Sequence, residues 1–298
     1  MSDKLKSLQA FRFKDKDAEK VVANSEKIQV DKLVTRPVPH KVTKPTTKKR
    51  VKPTSNTYPE QYKDVRPSLV ENLTLLFIGF NPGMESSLQQ HHYAHFSNLF
   101  WKLFNQSGLL LQCLGVLDPH YLSHNYDNDE LLQVLVKDGT TYAKPEHDYE
   151  LIKYKIGFTD LILRCTRTAQ ELPMAEKLAN VPRLIDEFNM SSSKHIVFIG
   201  KGIWEVIVKY VEVELGLKKV KLSKETFMWG LQDSQSVSAS RSDKDSRLYA
   251  LVLKKFQSKI SADSKVFVFP NTSGLVGSLK YEEKLKLWQD LADVISNT

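Results

Sequence analysis

Cysteine is scarce: the 298 residues hold two, Cys113 and Cys165. Two thiols are too few to ligate an iron–sulfur cluster alone, and they read as reduced, buried side chains of an intracellular protein. Long hydrophobic runs are missing too. No stretch of about 20 apolar residues occurs, which excludes a membrane-spanning helix. The first residues, MSDKLKSLQAFRFKDKD, lack the apolar core of a secretion signal, so export is not expected. Neither G-x-G-x-x-G nor a glycine loop ending in Lys-Ser/Thr is present, against the usual phosphate-cradling loops. There is no internal repeat. What remains is ordinary for a protein with a real core: 41% hydrophobic residues, and length for one large domain or two small ones.

The net charge of +8 is concentrated at one end. Residues 1–70 carry 17 Lys+Arg against 8 Asp+Glu, leaving 26 against 27 for the remainder. The same segment is poor in aromatic residues and contains the run Lys41–Pro53, KVTKPTTKKRVKP. Such a composition buries too little apolar surface to offset the entropy of ordering, so 1–70 reads as a disordered basic arm. A solvated linker, a phosphate-gripping arm and a nuclear address all suit it.

From residue 71 apolar strand-length runs alternate with amphipathic segments. Leu75–Phe80, Ile156–Leu163, His195–Gly200 and Lys265–Pro270 read as buried strands. Ser97–Ser107, Met174–Met190, Lys201–Leu215 and Tyr281–Ile295 read as helices. The expected fold is a three-layer α/β/α domain over 71–298 with a central, mainly parallel short sheet. Two polar stretches, near 118–150 and 232–247, interrupt the alternation and read as inserted loops.

The first strand ends in Gly79-Phe80-Asn81-Pro82-Gly83, and the last in Asn271-Thr272-Ser273-Gly274-Leu275. In a parallel sheet both tips open onto one edge, where ligands bind in open α/β folds. Between them lies HHYAHFSNLFWK (91–102), with His91, His92, Tyr93 and His95. The histidines lack a supporting ligand set, so no metal or other cofactor is expected.

These motifs, with Gly157-Phe158-Thr159, Arg164, Gly200-Lys201 and Gly230-Leu231-Gln232 in the same order, resemble the mismatch-specific uracil/thymine-DNA glycosylases, the second family of the uracil-DNA glycosylase superfamily. The resemblance spans about residues 72 to 296. It implies a monofunctional enzyme that flips a uracil or thymine mispaired with guanine out of double-stranded DNA and hydrolyses its bond to the sugar. Asn81 matches the water-positioning residue. As an amide it is no base, so leaving-group stabilisation must dominate. Gly79, Phe80, Ser86, His92, Tyr93 and Asp160 match the base pocket, with the Tyr93 ring expected against the flipped base. Asn271, Ser273, Gly274 and Leu275 match the insertion loop, Leu275 as the apolar wedge. Lys201 matches a lysine grouped here with the DNA contacts.

Two branches of the family are mixed. HHY resembles the eukaryotic thymine-DNA glycosylases, whereas SGL and Ser86 resemble the bacterial mismatch uracil-DNA glycosylases. A serine at 86, where the thymine-active branch carries alanine, crowds a 5-methyl group. Asp160, where vertebrate enzymes carry asparagine, repels anionic 5-carboxylcytosine. The resulting expectation is a nuclear, monomeric base-excision-repair enzyme favouring G·U over G·T, with downstream repair proteins as further partners and no membrane. A glycosylase indifferent to the opposite base and a catalytically idle DNA-binding scaffold stay open as alternatives.

Overall fold

Residues 75–78 alternate in direction: Leu75 and Phe77 face one side of a sheet, Leu76 and Ile78 the other, all fully buried. The computed structural model describes residues 61–234, 243–274 and 279–298, all within one compact unit, Asn56–Thr298. In chain order the strands are β1 (Leu75–Gly79), β2 (Val136–Lys137), β3 (Thr140–Thr141), β4 (Ile156–Asp160), β5 (His195–Ile199), β6 (Gly230–Leu231) and β7 (Lys265–Phe269). The main sheet runs β4-β1-β5-β7-β6, parallel except for the short edge strand β6. From β1 the chain goes to one side for β4 and returns to the other for β5. That reversal opens a crevice at the C-terminal ends of the strands beside β1.

The helices are α1 (Met84–Gln89), α2 (Phe100–Gln106), α3 (Leu109–Leu117), α4 (Tyr121–Asn125), α5 (Glu130–Leu135), α6 (Met174–Ala179), α7 (Val181–Ser191), α8 (Lys201–Glu214), α9 (Lys244–Gln257) and α10 (Tyr281–Ser296). They cover both sheet faces, so two separate cores form. On one face α7, α8 and α9 bury Leu184, Phe188, Trp204, Ile207, Tyr249 and Phe256. On the other, α2, α3 and α10 build an aromatic core around Phe77, which stacks on Trp288 (5.4 Å) and meets Phe100 edge-on (4.9 Å). Both cysteines are free and buried. No helix among the described residues is long and apolar enough to cross a membrane. The three-layer expectation is met.

Four boundaries differ from the sequence reading. Val65 and Leu69 are buried and Ser68 pairs with Phe158, so the fold reaches back ahead of residue 71; residues 1–60 of the arm lie outside the described residues. The 118–150 stretch is no loop. It folds as α4, α5 and the β2–β3 hairpin, whose Asp138-Gly139 tip takes positive φ at both residues, the twist a tight hairpin requires. Leu132, Leu135 and Val136 carry it into the aromatic core. The 232–247 stretch is also shorter than expected: Gln232 is buried and α9 begins at Lys244, its N-terminus capped by the Asp243 side chain on the Ser246 N–H. Residues 235–242 lie outside the described residues. Finally, Met174–Met190 is two helices, parted at Asn180 because Pro182 lacks an N–H and starts a new helix.

Candidate active site at the C-terminal edge of the sheet

At the tip of β1 the Asn81 side chain is oriented by its amide nitrogen. Nδ2 donates to Thr166 Oγ1 (2.8 Å), the Pro82 carbonyl (3.1 Å) and the Arg164 carbonyl (3.2 Å). Only an NH2 group donates to carbonyls, so the amide cannot be turned round. Its Oδ1 is therefore the end directed away from these partners, an acceptor able to hold a water by one of its hydrogens. Thr166, which donates onward to the Thr168 carbonyl, completes the support.

Asp160 ends β4 opposite Gly79. A β-carbon on Gly79 would lie 2.0 Å from Asp160 Oδ1 and 3.2 Å from the Tyr93 hydroxyl, so the two polar groups converge on the bare glycine backbone. Burial pushes the Asp160 carboxyl up to about 6; nearby His92 and Arg183 oppose the rise and Glu187 adds to it. From behind, Arg183 on α7 donates to the Asp160 and Leu161 carbonyls and pairs with Glu187, which accepts from Thr159. That clamp fixes the end of β4.

Tyr93 sits at φ 54°, a left-handed conformation that costs a non-glycine residue roughly 1–3 kcal/mol and persists only where neighbours enforce it. They do. The His92 N–H donates to Asp148 (2.7 Å), the His92 carbonyl accepts from Trp101 Nε1 (3.2 Å), and the Ala94 N–H donates to Ser86 Oγ (3.1 Å). The Tyr93 ring then lies flat on Phe100, centroids 3.9 Å apart at 1°. One ring face is thus taken, leaving only the other for a base. The buried Tyr93 hydroxyl and His92 Nε2 have no protein partner among the described residues. Burial, then the Asp160 charge, pushes the Tyr93 phenol up, so it stays a neutral donor.

Asp148 is the residue the sequence reading missed. Fully buried, it accepts from His91 Nδ1 (2.8 Å), His92 Nδ1 (2.7 Å), the His92 N–H and the Tyr149 N–H. His91 and His92 are thus held by a carboxylate from the stretch taken for an insert.

The last-strand loop joins the same edge. Asn271 Oδ1 accepts from the Ser273 N–H (2.7 Å), and the Thr272 carbonyl accepts from Leu99 (2.9 Å). Gly274 abuts Ser97 so closely that a β-carbon would lie 2.9 Å from its carbonyl oxygen. Leu275 lies outside the described residues. Lys201 starts α8 beside this edge. Its ammonium donates to the Leu222 carbonyl (2.5 Å) and lies over the Phe227 ring, pinning the 215–227 segment.

Residues 66–292 match the uracil DNA glycosylase superfamily. The chain belongs to that superfamily. Among curated proteins it is similar to the G/U mismatch-specific uracil DNA glycosylase of Schizosaccharomyces pombe, 26% identical over 239 residues, which is 80% of this chain and 55% of that protein. The chain thus spans about half the length of the curated relative it matches. The superfamily match covers Asn81, Tyr93, Asp160 and Gly274 together, the residues that the fold gathers at one sheet edge.

Proposed function

We propose that the protein is a monofunctional DNA glycosylase that releases uracil, and thymine more slowly, from mispairs with guanine in double-stranded DNA. The oriented Asn81 amide carries this reading: its Oδ1 accepts a hydrogen bond from a water and aims the water's lone pair at the sugar carbon. The bond from that carbon to the base breaks with both electrons leaving on the base. The water's oxygen bonds to the sugar carbon and its surplus proton passes to solvent. Asn81 takes no proton, so positioning and stabilisation of the departing anion supply the rate. The unpartnered Tyr93 hydroxyl and His92 Nε2, beside Asp160, are suited to the polar rim of a nucleobase. The S. pombe relative named for G/U mismatches supports the same substrate.

Incubation with duplexes carrying G·U, A·U, G·T or G·C, and with single-stranded uracil, followed by alkaline cleavage of abasic sites, tests this. Strand breaks at G·U above G·T, with little at A·U, are expected. Equal breakage at A·U and G·U would favour a glycosylase blind to the opposite base, and none anywhere a catalytically idle scaffold.

A further inference from the structure

Phe96 is 93% exposed, whereas every other described phenylalanine is buried or, at Phe80, partly buried. The fold gains nothing from a ring left in water. The ring nevertheless has a stacking partner. His95 lies behind it, centroids 4.7 Å apart at 26°. His95 is itself fixed, because Ser97 brings its N–H (3.2 Å) and its hydroxyl (2.9 Å) to His95 Nδ1. Ser97 in turn abuts Gly274, and Leu99 is hydrogen-bonded to Thr272. The aromatic pair is therefore braced against the last-strand loop, three residues beyond Tyr93 and on the same sheet edge.

A preset, solvent-facing aromatic pair beside a nucleobase pocket suits another flat π-system. When one nucleotide leaves the DNA stack, its neighbour loses stacking on one side, and an inserted apolar ring restores it. Tyr93 cannot reach that neighbour, since its ring is committed to the pocket and to Phe100. We propose that Phe96, backed by His95, is a stacking platform for the nucleobase next to the flipped nucleotide. The proposal rests on the glycosylase reading above.

The test uses a duplex with non-hydrolysable 2′-fluoroarabino-uridine opposite guanine and the fluorescent base 2-aminopurine beside it. Phe96→Ala should bind this duplex about ten-fold more weakly, the cost of one aromatic–base stack, and lose the 2-aminopurine intensity change seen with the unaltered protein. Phe96→Trp should restore both, and neither substitution should shift the melting temperature, because the ring is exposed. Unchanged affinity and unchanged 2-aminopurine response in Phe96→Ala would overturn the proposal, as would a protein-only partner that needs Phe96 while DNA binding does not. If the unaltered protein releases no uracil from G·U yet shows the Phe96-dependent signal, the catalytic reading fails and the platform stands.

Discussion

Gly79 faces Asp160 across neighbouring strands with no room for a side chain: the first atom of one would sit 2.0 Å from the carboxylate oxygen. Asp160 cannot easily retreat, because Arg183 grips its carbonyl. Gly79→Ala should therefore push Asp160 and Tyr93 out of place. A displacement of about 1 Å costs on the order of a hundred-fold in rate, so single-turnover uracil release should fall at least that far. Release at the unaltered rate would show that the pocket tolerates the displacement.

Asn81→Ala should abolish measurable release while G·U duplex binding persists. Thr166→Val should do part of the same by removing one of the three hydrogen bonds that hold the amide, and Thr166→Ser should recover it. The informative readout is the rate at saturating enzyme, since loss of affinity instead would mean that Asn81 holds the base rather than the water.

Asp148→Asn replaces an acceptor of four hydrogen bonds with a group that also donates. Bonds to a charged group are each worth roughly 1.5–3 kcal/mol, so urea denaturation should show a loss of about that size or more. Release should fall further than stability explains, because the His92–Tyr93 backbone loses its anchor.

The Asp160 carboxyl is raised from 3.8 to about 6 by burial. A carboxyl raised in the fold binds its proton more tightly there than in the unfolded chain. Its stabilising contribution is present below pH 3.8 and is lost as pH rises through about 6. Asp160→Asn carries no such loss. Relative to the unaltered protein it should gain up to about 3 kcal/mol between pH 4 and pH 8. Parallel denaturation curves at the two pH values check this, and a pH-independent difference would contradict the buried, raised carboxyl.

Ser86→Ala removes a buried hydroxyl that accepts from the Ala94 N–H. The ratio of G·T to G·U release should rise about ten-fold, the scale of one methyl group's accommodation. An unchanged ratio would place thymine discrimination elsewhere.

The four parallel strands were legible because each is an apolar run buried on both faces, and the tips of β1 and β7 announced themselves through Gly, Asn and Pro. Tyr93 was legible by motif, but not its stack on Phe100, which depends on a left-handed backbone set by Ser86, Trp101 and the sequence-distant Asp148. Asp148 was invisible for a related reason. It lies 56 and 57 residues from the histidines it binds, in a stretch whose short helices show little periodicity. The Asp138-Gly139 hairpin and the Asp243 cap before α9 were readable signals that the polar composition around them obscured. The break at Asn180 was readable from Pro182.

Asp148 also ties the integrity of a remote stretch of chain to the chemistry of the site. The His91–Ala94 loop is held by a carboxylate that the 118–150 stretch delivers from more than 50 residues away in sequence. A chain whose 118–150 stretch is displaced would lack that anchor, so intact helix content alone would not report an intact site.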